Sequence, residues 1–185
     1  MDPQSLKSRL LVANPAMPDP NFHRTVVLVL EHSPEGALGL VLNRPSDTDV
    51  EGALPEWGRL AVEPPVVFVG GPVEPTAAIC LAELDEEQEG ERWRPVLGEL
   101  GTLDLTAEEA DLVGRVRGLR VFAGYAGWSA GQVEDELEVS AWFVVDAEPG
   151  DALAPRPGDL WHDVLRRQGG WLASLAAYPD DPSTN

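Results

Sequence analysis

Short apolar runs, separated by clusters of turn-forming residues, dominate the pattern along this chain. The run Thr25–Leu30 is β-branched and continuously apolar, which is typical of a strand buried on both faces. Seven such runs predict strands, at Leu10–Ala13, Thr25–Leu30, Ala37–Leu42, Val66–Val69, Ala77–Leu84, Leu119–Ala123 and Ala141–Val145. The turn residues Ser33–Gly36 between the second and third runs predict a β-hairpin.

Helix signals are concentrated in the second half of the chain. Capping boxes predict short helices over Thr106–Val116 and Ser129–Leu137. A third helix, capped by Asp159, is predicted to end near Gln168 and to bury one face, formed by Leu160, Trp161, Val164 and Leu165. The charged segment Asp85–Arg94 predicts a mobile excursion. Because strands and helices do not alternate regularly, the pattern predicts the α+β class.

Composition and charge narrow the possible functions. The 185 residues predict one domain, over residues 1–178, followed by a disordered tail at 179–185. The chain has 13 basic and 32 acidic residues, a net charge of −19, which disfavours direct binding to nucleic acid or anionic lipid. Its longest apolar stretch, at 64–82, is broken by prolines and glycines, so no membrane span is expected. We expect a cytoplasmic protein, since no signal peptide is visible and Cys80 is the only cysteine.

The sequence shows neither the residue spacing of a metal site nor a common phosphate-binding motif. The three histidines, His23, His32 and His162, lack the spacing of a metal site, and no second cysteine is available. The segment Gly70-Gly71-Pro72 matches neither of the common glycine-rich phosphate loops. No metal or cofactor is therefore expected.

One pentapeptide suggests catalysis. Gly127–Gly131 matches the G-x-S-x-G pattern and lies between a predicted strand and a predicted helix. With Ser129 as nucleophile, His162 as base and Asp146 as its orienting group, a serine hydrolase is the alternative function. The structural interpretation of the same residues is that Ser129 caps the helix together with Gln132.

Polar pairs end two neighbouring strands. Glu31-His32 follows the run at Thr25–Leu30, and Asn43-Arg44 follows the run at Ala37–Leu42. They fit a polar site built at strand ends, and they also fit residues that terminate strands and pair at the surface. A fully paired hairpin of equal strands would place the two pairs at its opposite ends.

Four ordered segments carry a family resemblance. The chain resembles the YqgE/AlgH-like family of bacterial proteins in Leu10–His32, Gly36–Pro45, Val67–Val73 and Gly124–Leu137. The resemblance implies a compact α+β domain with a complex, partly barrel-like mixed sheet flanked by helices. It brings no established reaction or cofactor, so whether the protein is an enzyme stays open. One branch of the family is named as a regulator of alginate production, which implies a regulatory role.

The family's motif positions imply a set of candidate ligand-binding residues, namely Glu31, His32, Asn43, Arg44, Tyr125, Trp128, Gln132 and Glu134. We expect this set to bind a small polar ligand or a protein partner, with arginine, asparagine and histidine as donors and the aromatic residues as an apolar wall. Relatives often carry glycine at the position of Ser129, which weighs against the hydrolase. A third possibility is an interaction module whose motif residues stabilise the fold.

Overall fold

A curled sheet organises the part of the chain that the structure describes. The computed structural model describes residues 5–85, 92–106 and 114–180. Its strands are β1 (Arg9–Ala13), β2 (Val26–Ser33), β3 (Gly36–Val41), β4 (Pro45–Asp49), β5 (Val66–Val69), β6 (Val73–Leu84), β7 (Trp93–Leu97), β8 (Leu100–Leu103), β9 (Val116–Ser129) and β10 (Trp142–Asp146). Its helices are α1 (Val50–Ala53), α2 (Gln132–Glu138), α3 (Pro149–Ala152), α4 (Leu160–Gln168) and α5 (Gly170–Leu175), with 3-10 turns at Gly58–Leu60 and Pro157–Asp159. The α+β prediction is confirmed.

Strand β9 is the centre of the sheet. One side of β9 pairs antiparallel with β6. The other side pairs antiparallel with β3 near the end of β9 and parallel with β5 in its middle. The strand order is β10-β1-β2-β3-β9-β6-β8-β7, and β4 pairs with β5 outside this path. The parallel pair makes the sheet mixed, as the resemblance implied.

The sheet is curled, so that strands far apart in the strand order lie close together in space. Ser8, which directly precedes β1, donates its hydroxyl to the backbone carbonyl of Val96 in β7. This contact joins the β7 end of the sheet to the segment that leads into β1. The result is the partly barrel-like shape, with apolar residues inside the curl.

Strand β2 is buried on both faces, as its apolar pattern predicts. Leu28 and the other even-numbered residues pack in one cluster, which contains Phe122 of β9 and Trp161 of α4. Val27 and Val29 pack on the opposite face, in a cluster that contains Trp142 of β10. The period-two alternation of side chains therefore supplies two separate cores from one strand.

The predicted helix near the C-terminus is present as α4. The four residues predicted to share a face are all buried. Asp159 holds the N-cap position, although its side chain makes no cap hydrogen bond. The indole N–H of Trp161 donates to the carbonyl of Ala13 at 2.9 Å, which ties α4 to β1. Within the described ranges, no helix combines the length and apolarity that crossing a membrane requires.

The predicted capping box at Ser129 is corrected by the structure. Ser129 is the last residue of β9, and Gly131 holds the N-cap position of α2 with a φ of 76°. Only one of the two expected bonds forms, from the Ser129 N–H to Oε1 of Gln132 at 3.0 Å. Glycine adopts the left-handed backbone at little cost, so it displaces serine as the cap.

Several strand boundaries differ from the predictions. Strand β6 starts at Val73 rather than at Ala77, and β9 covers Val116–Ser129 rather than Leu119–Ala123. Strands β4, β7 and β8 were not predicted, because they are short and carry polar residues, proline or glycine. Trp93, which was placed in a mobile excursion, is buried in β7.

Parts of three predictions lie outside the described residues. These are positions 86–91 of the charged excursion, positions 107–113 of the helix predicted from Thr106, and positions 181–185 of the tail. Within the described part, Val116 begins a strand rather than ending a helix. The side chain of Asp104 accepts hydrogen bonds from both the N–H and the hydroxyl of Thr106.

Candidate ligand-binding site

The β2–β3 hairpin places candidate residues at both of its ends. In the hairpin, Glu31 pairs with Leu38 and His32 pairs with Ala37, close to the turn. Asn43 and Arg44 follow the far end of β3. The sequence-predicted donors therefore do not meet at one point.

Five candidates gather at the turn end, where β9 leads into α2. We call Glu31, His32, Trp128, Gln132 and Glu134 the turn-end cluster. Nδ1 of His32 accepts the Leu6 N–H at 3.0 Å, so the proton resides on Nε2 and is donated to Oε1 of Glu134 at 2.7 Å. This hydrogen bond holds the pKa of Glu134 below its ordinary value. Both nitrogens of His32 are thus occupied by the protein itself.

A residue that the sequence analysis missed organises the same cluster. Oε2 of Glu136 accepts the indole N–H of Trp128 at 2.9 Å and that of Trp142 at 2.7 Å. Oε1 of Glu136 accepts Nε2 of Gln132 at 3.0 Å. A signal was available in the sequence, because Trp128 and Trp142 flank the acidic helix, and an indole N–H that becomes buried needs an acceptor.

An open groove of about 500 Å³ lies beside the turn-end cluster. Its lining carries charges of both signs, and consists of Lys7, Glu31, His32, Ser33, Glu35, Gly36, Ala37, Leu38 and Trp128. Since His32 is committed to Leu6 and Glu134, the groove offers no free imidazole to a ligand. Within the described residues, no group of three metal-ligating side chains is found here or elsewhere.

Asn43 has a positioning role at the opposite end of the hairpin. Its Oδ1 accepts the N–H of Val26 at 3.0 Å, and its Nδ2 donates to the carbonyl of Arg24 at 2.8 Å. The amide therefore holds the start of β2 against the end of β3. These bonds place the backbone beside Arg44 and use one of the two N–H groups of the amide.

A second groove surrounds Arg44. We call this space of about 330 Å³ the Arg44 groove. Three segments form it: the β1–β2 loop, the end of β3 with the start of β4, and the β5–β6 connection. Its lining residues, in that order, are Pro20 and Asn21, then Val41, Arg44 and Pro45, then Val69, Gly71 and Pro72. All three segments belong to motifs on which the family resemblance depends. Residues far apart in sequence thus form one concave surface.

The guanidinium of Arg44 is available within this groove. It donates one hydrogen bond, to the carbonyl of His23. Among the described residues, it forms no ion pair with a carboxylate. The carbonyl of Arg44 accepts the Val69 N–H at 2.7 Å, so its backbone is held in place. The cation is therefore fixed without being neutralised.

Close backbone packing explains the glycines of the β5–β6 connection. A Cβ on Gly70 would lie 2.3 Å from the carbonyl oxygen of Gly124, and one on Gly71 would lie 2.1 Å from the carbonyl carbon of Tyr125. Only glycine allows this connection to lie directly against β9. Tyr125 is partly buried against the main core, so it supports the connection from behind and does not line the groove.

A neighbouring arginine is already paired. The guanidinium of Arg24 lies 4.6 Å from the ring centroid of Trp161 and forms an ion pair with Asp180 at 2.9 Å. Its Nη2 donates to the carbonyl of Tyr178 at 2.6 Å. Arg24 therefore anchors the C-terminal segment, and this distinguishes it from Arg44.

The proposed hydrolase residues are not assembled. Ser129 is on β9 and Asp146 is on β10, and the three strands β1, β2 and β3 lie between them. Each residue has another partner: Ser129 Oγ donates to Gln132 at 3.3 Å, Asp146 pairs with Arg9 at 3.0 Å, and Nε2 of His162 lies 3.4 Å from Arg24. No nucleophile–base contact is formed, so the geometry gives a serine hydrolase no support.

Comparisons with known proteins agree with this architecture. The family described as AlgH-like matches residues 10–173. A "UPF0301 protein" of Streptomyces coelicolor is 55% identical over 185 residues, covering 98% of this chain and 96% of its own length. A "UPF0301 protein" of Thermobifida fusca is 45% identical over 194 residues, covering 100% and 98%.

Two solved structures are similar to the fold described above. A crystal structure of a protein from Corynebacterium diphtheriae has a TM-score of 0.87 at 31% identity, over 93% of this chain and 92% of that one. The solution structure of the AlgH protein from Pseudomonas aeruginosa has a TM-score of 0.69 at 32% identity, over 97% of both chains.

Proposed function

The chain belongs to the AlgH-like family, and from that premise we propose that it is a small-molecule-binding protein with a regulatory role, whose ligand occupies the Arg44 groove. The observation that carries the proposal is a guanidinium in a concave site that forms no ion pair within the described part of the chain, in a protein whose net charge is −19. This guanidinium also faces a groove whose lining contains no carboxylate, so a ligand with negatively charged oxygens would complete its hydrogen bonding.

The lining favours binding over catalysis. None of the described residues that line the Arg44 groove is a serine, cysteine, histidine, aspartate or glutamate. The site therefore lacks the groups that act as nucleophile or general acid–base. A volume of about 330 Å³ lies at the lower end of the range for small-molecule sites.

The site is also rigid, which supports binding. Pro20, Pro45 and Pro72 each have a fixed φ, and the Arg44 backbone is hydrogen-bonded to Val69. A preorganised site loses little conformational entropy when a ligand binds. We place this activity in the cytoplasm, because a chain with the single cysteine Cys80 does not rely on internal disulfides and so fits a reducing compartment. The acidic surface disfavours nucleic acid as the partner.

The groove can be tested by filling it with a side chain. Val69→Trp places an indole in the groove, while Val139→Trp is the matched control, since Val139 is 76% exposed and lines neither groove. Amide chemical shifts of the full chain are followed by two-dimensional NMR at pH 7 with four millimolar probes: isobutyrate, isobutyramide, isobutylamine and methyl phosphate.

We expect at least one probe to shift the amide signals of Asn21, Arg44 and Gly71 saturably in the wild type and the control. In Val69→Trp the same shifts are expected to disappear. The proposal is overturned when no probe saturates these signals, or when Val69→Trp binds as the wild type does.

A further inference from the structure

Resting on the proposed function, we infer that the Arg44 groove selects a small monocarboxylate with a short, apolar body. Three features of the groove lead to this ligand class: the free edge of one guanidinium, the small number of other donors, and the apolar walls. Each restricts the ligand independently.

The guanidinium fixes the charge and shape of the ligand's head. Arginine has five N–H donors in a planar fork, and Arg44 gives one of its hydrogen bonds to His23. The remaining donors can form two parallel hydrogen bonds to the oxygens of a carboxylate. The bond from Val69 N–H holds the Arg44 backbone, and the bond to the His23 carbonyl positions the guanidinium itself.

The backbone around the groove disfavours a phosphate. Phosphate sites in glycine-rich loops use several free backbone N–H groups. Here the N–H groups of Val69 and Gly70 already donate to the carbonyls of Arg44 and Ala123. Pro72, like the other two lining prolines, has no N–H at all. The N–H of Gly71 and the side-chain amide of Asn21 add single donors, which is fewer than the run of N–H groups in a glycine-rich phosphate loop. In a strongly acidic protein, this small donor set matches a single negative charge better than a double one.

The walls restrict the rest of the ligand. Val69 is 46% exposed, which makes it one of the few large apolar residues at the surface of the described chain. Together with Val41 and the three prolines, it forms an apolar lining beside the guanidinium. A branched or short aliphatic group would cover Val69 while its carboxylate contacts Arg44. The small volume leaves room for only a few carbon atoms beyond the head.

The test compares two probes that differ only in having a carboxylate or an amide group. It also compares protein variants that differ in the hydrogen-bond donors of the side chain at position 44. Isobutyrate and isobutyramide have the same body, but only isobutyrate is charged at pH 7. Arg44→Met removes the donors, Arg44→Lys keeps the charge without the fork, and Arg59→Met is the control, because Arg59 is exposed and lines neither groove. Urea unfolding of each variant confirms that it is folded.

We expect isobutyrate to bind at least tenfold more tightly than isobutyramide and methyl phosphate in the wild type. Its affinity should fall at least tenfold in Arg44→Met, fall less in Arg44→Lys, and stay unchanged in Arg59→Met. Saturable binding of isobutyramide as tight as that of isobutyrate overturns the carboxylate but leaves the proposed function standing.

Two further outcomes would also overturn the inference. Tighter binding of methyl phosphate assigns the groove to phosphates. Acetyl-Gly-Val is a further probe, whose carboxylate is the C-terminus of a short peptide. If it binds more tightly than isobutyrate, the groove recognises a peptide C-terminus rather than a small acid. When none of the probes binds, the proposed function itself fails, so the two failures are distinguishable.

Discussion

Glu136 is expected to be among the most important surface carboxylates for stability, because it serves two buried tryptophans. Trp128 and Trp142 are 6% and 2% exposed, and Oε2 of Glu136 accepts both of their indole N–H groups. Glu136→Ala would leave two buried donors without a partner. Each unsatisfied donor costs roughly 1–3 kcal/mol, so we expect the free energy of unfolding to fall by about 2–6 kcal/mol.

Two companion variants isolate this effect. Glu136→Gln keeps an oxygen that can accept the indole bonds but loses the charge, so it should cost about 1 kcal/mol. Glu138→Ala removes an exposed carboxylate from the same helix and should change stability by less than about 0.5 kcal/mol. Urea unfolding followed by tryptophan fluorescence measures all three, since the indoles themselves report on the cluster.

The reasoning would be refuted by a simple result. A Glu136→Ala midpoint that equals that of Glu138→Ala, at an unchanged urea dependence, means that the indole hydrogen bonds add nothing to stability. Water would then satisfy both N–H groups as well as the carboxylate does.

Three further predictions concern other ionisable groups. Asp151 is 6% exposed, and its carboxylate accepts a hydrogen bond from Arg167 at 2.7 Å. Asp151→Asn should therefore lower the free energy of unfolding by roughly 2 kcal/mol, which is less than for a fully buried pair because Arg167 is partly exposed. An unchanged urea midpoint would contradict this. Burial raises the pKa of the Cys80 thiol, so a thiol reagent should react with it only after unfolding, and rapid labelling of the native protein would disprove the burial. The hydrogen bond from His32 lowers the pKa of Glu134, so its contribution to stability is present at neutral pH and is lost as the pH falls through that lowered pKa. The stability difference between the wild type and Glu134→Gln should shrink in that direction, and a difference that grows on acidification would count against it.

The fold was predictable wherever burial left an unbroken apolar run. Strand β2 is buried on both faces, so Thr25–Leu30 was recognisable from sequence. Strand β4 reads Pro-Ser-Asp-Thr-Asp and is mostly exposed, so it has no apolar pattern to recognise. The cap of α2 was misassigned because Ser129 and Gly131 both suit that position, and only the backbone path of β9 decides between them.

The candidate site was predictable only in part, since its properties depend on distant segments. The sequence singles out Arg44, but the absence of an ion-pair partner among the described residues follows from the loops that surround it. Asn43 was expected to bind a ligand, and its two hydrogen bonds to backbone groups depend on the hairpin register. Glu136 lies in an acidic run, which is by itself typical of a solvated helix face. Its buried partners are not visible in the helix sequence, because the two indoles come from β9 and β10.

The central place of β9 has a consequence for protein synthesis. Strands β3, β5 and β6 all pair with β9, and β1 pairs with β10, so the first half of the chain lacks its main neighbours until residue 129 and beyond have been made. Strand β2 can pair with β1 and β3 at once, but Phe122 and Trp142, which belong to the clusters on its two faces, come about 90–110 residues later. At about 5–20 residues per second, this delay is roughly 5–20 s. Until then the β-branched segment at Thr25–Leu30 lacks its covering side chains and is open to the aggregation that chaperones prevent.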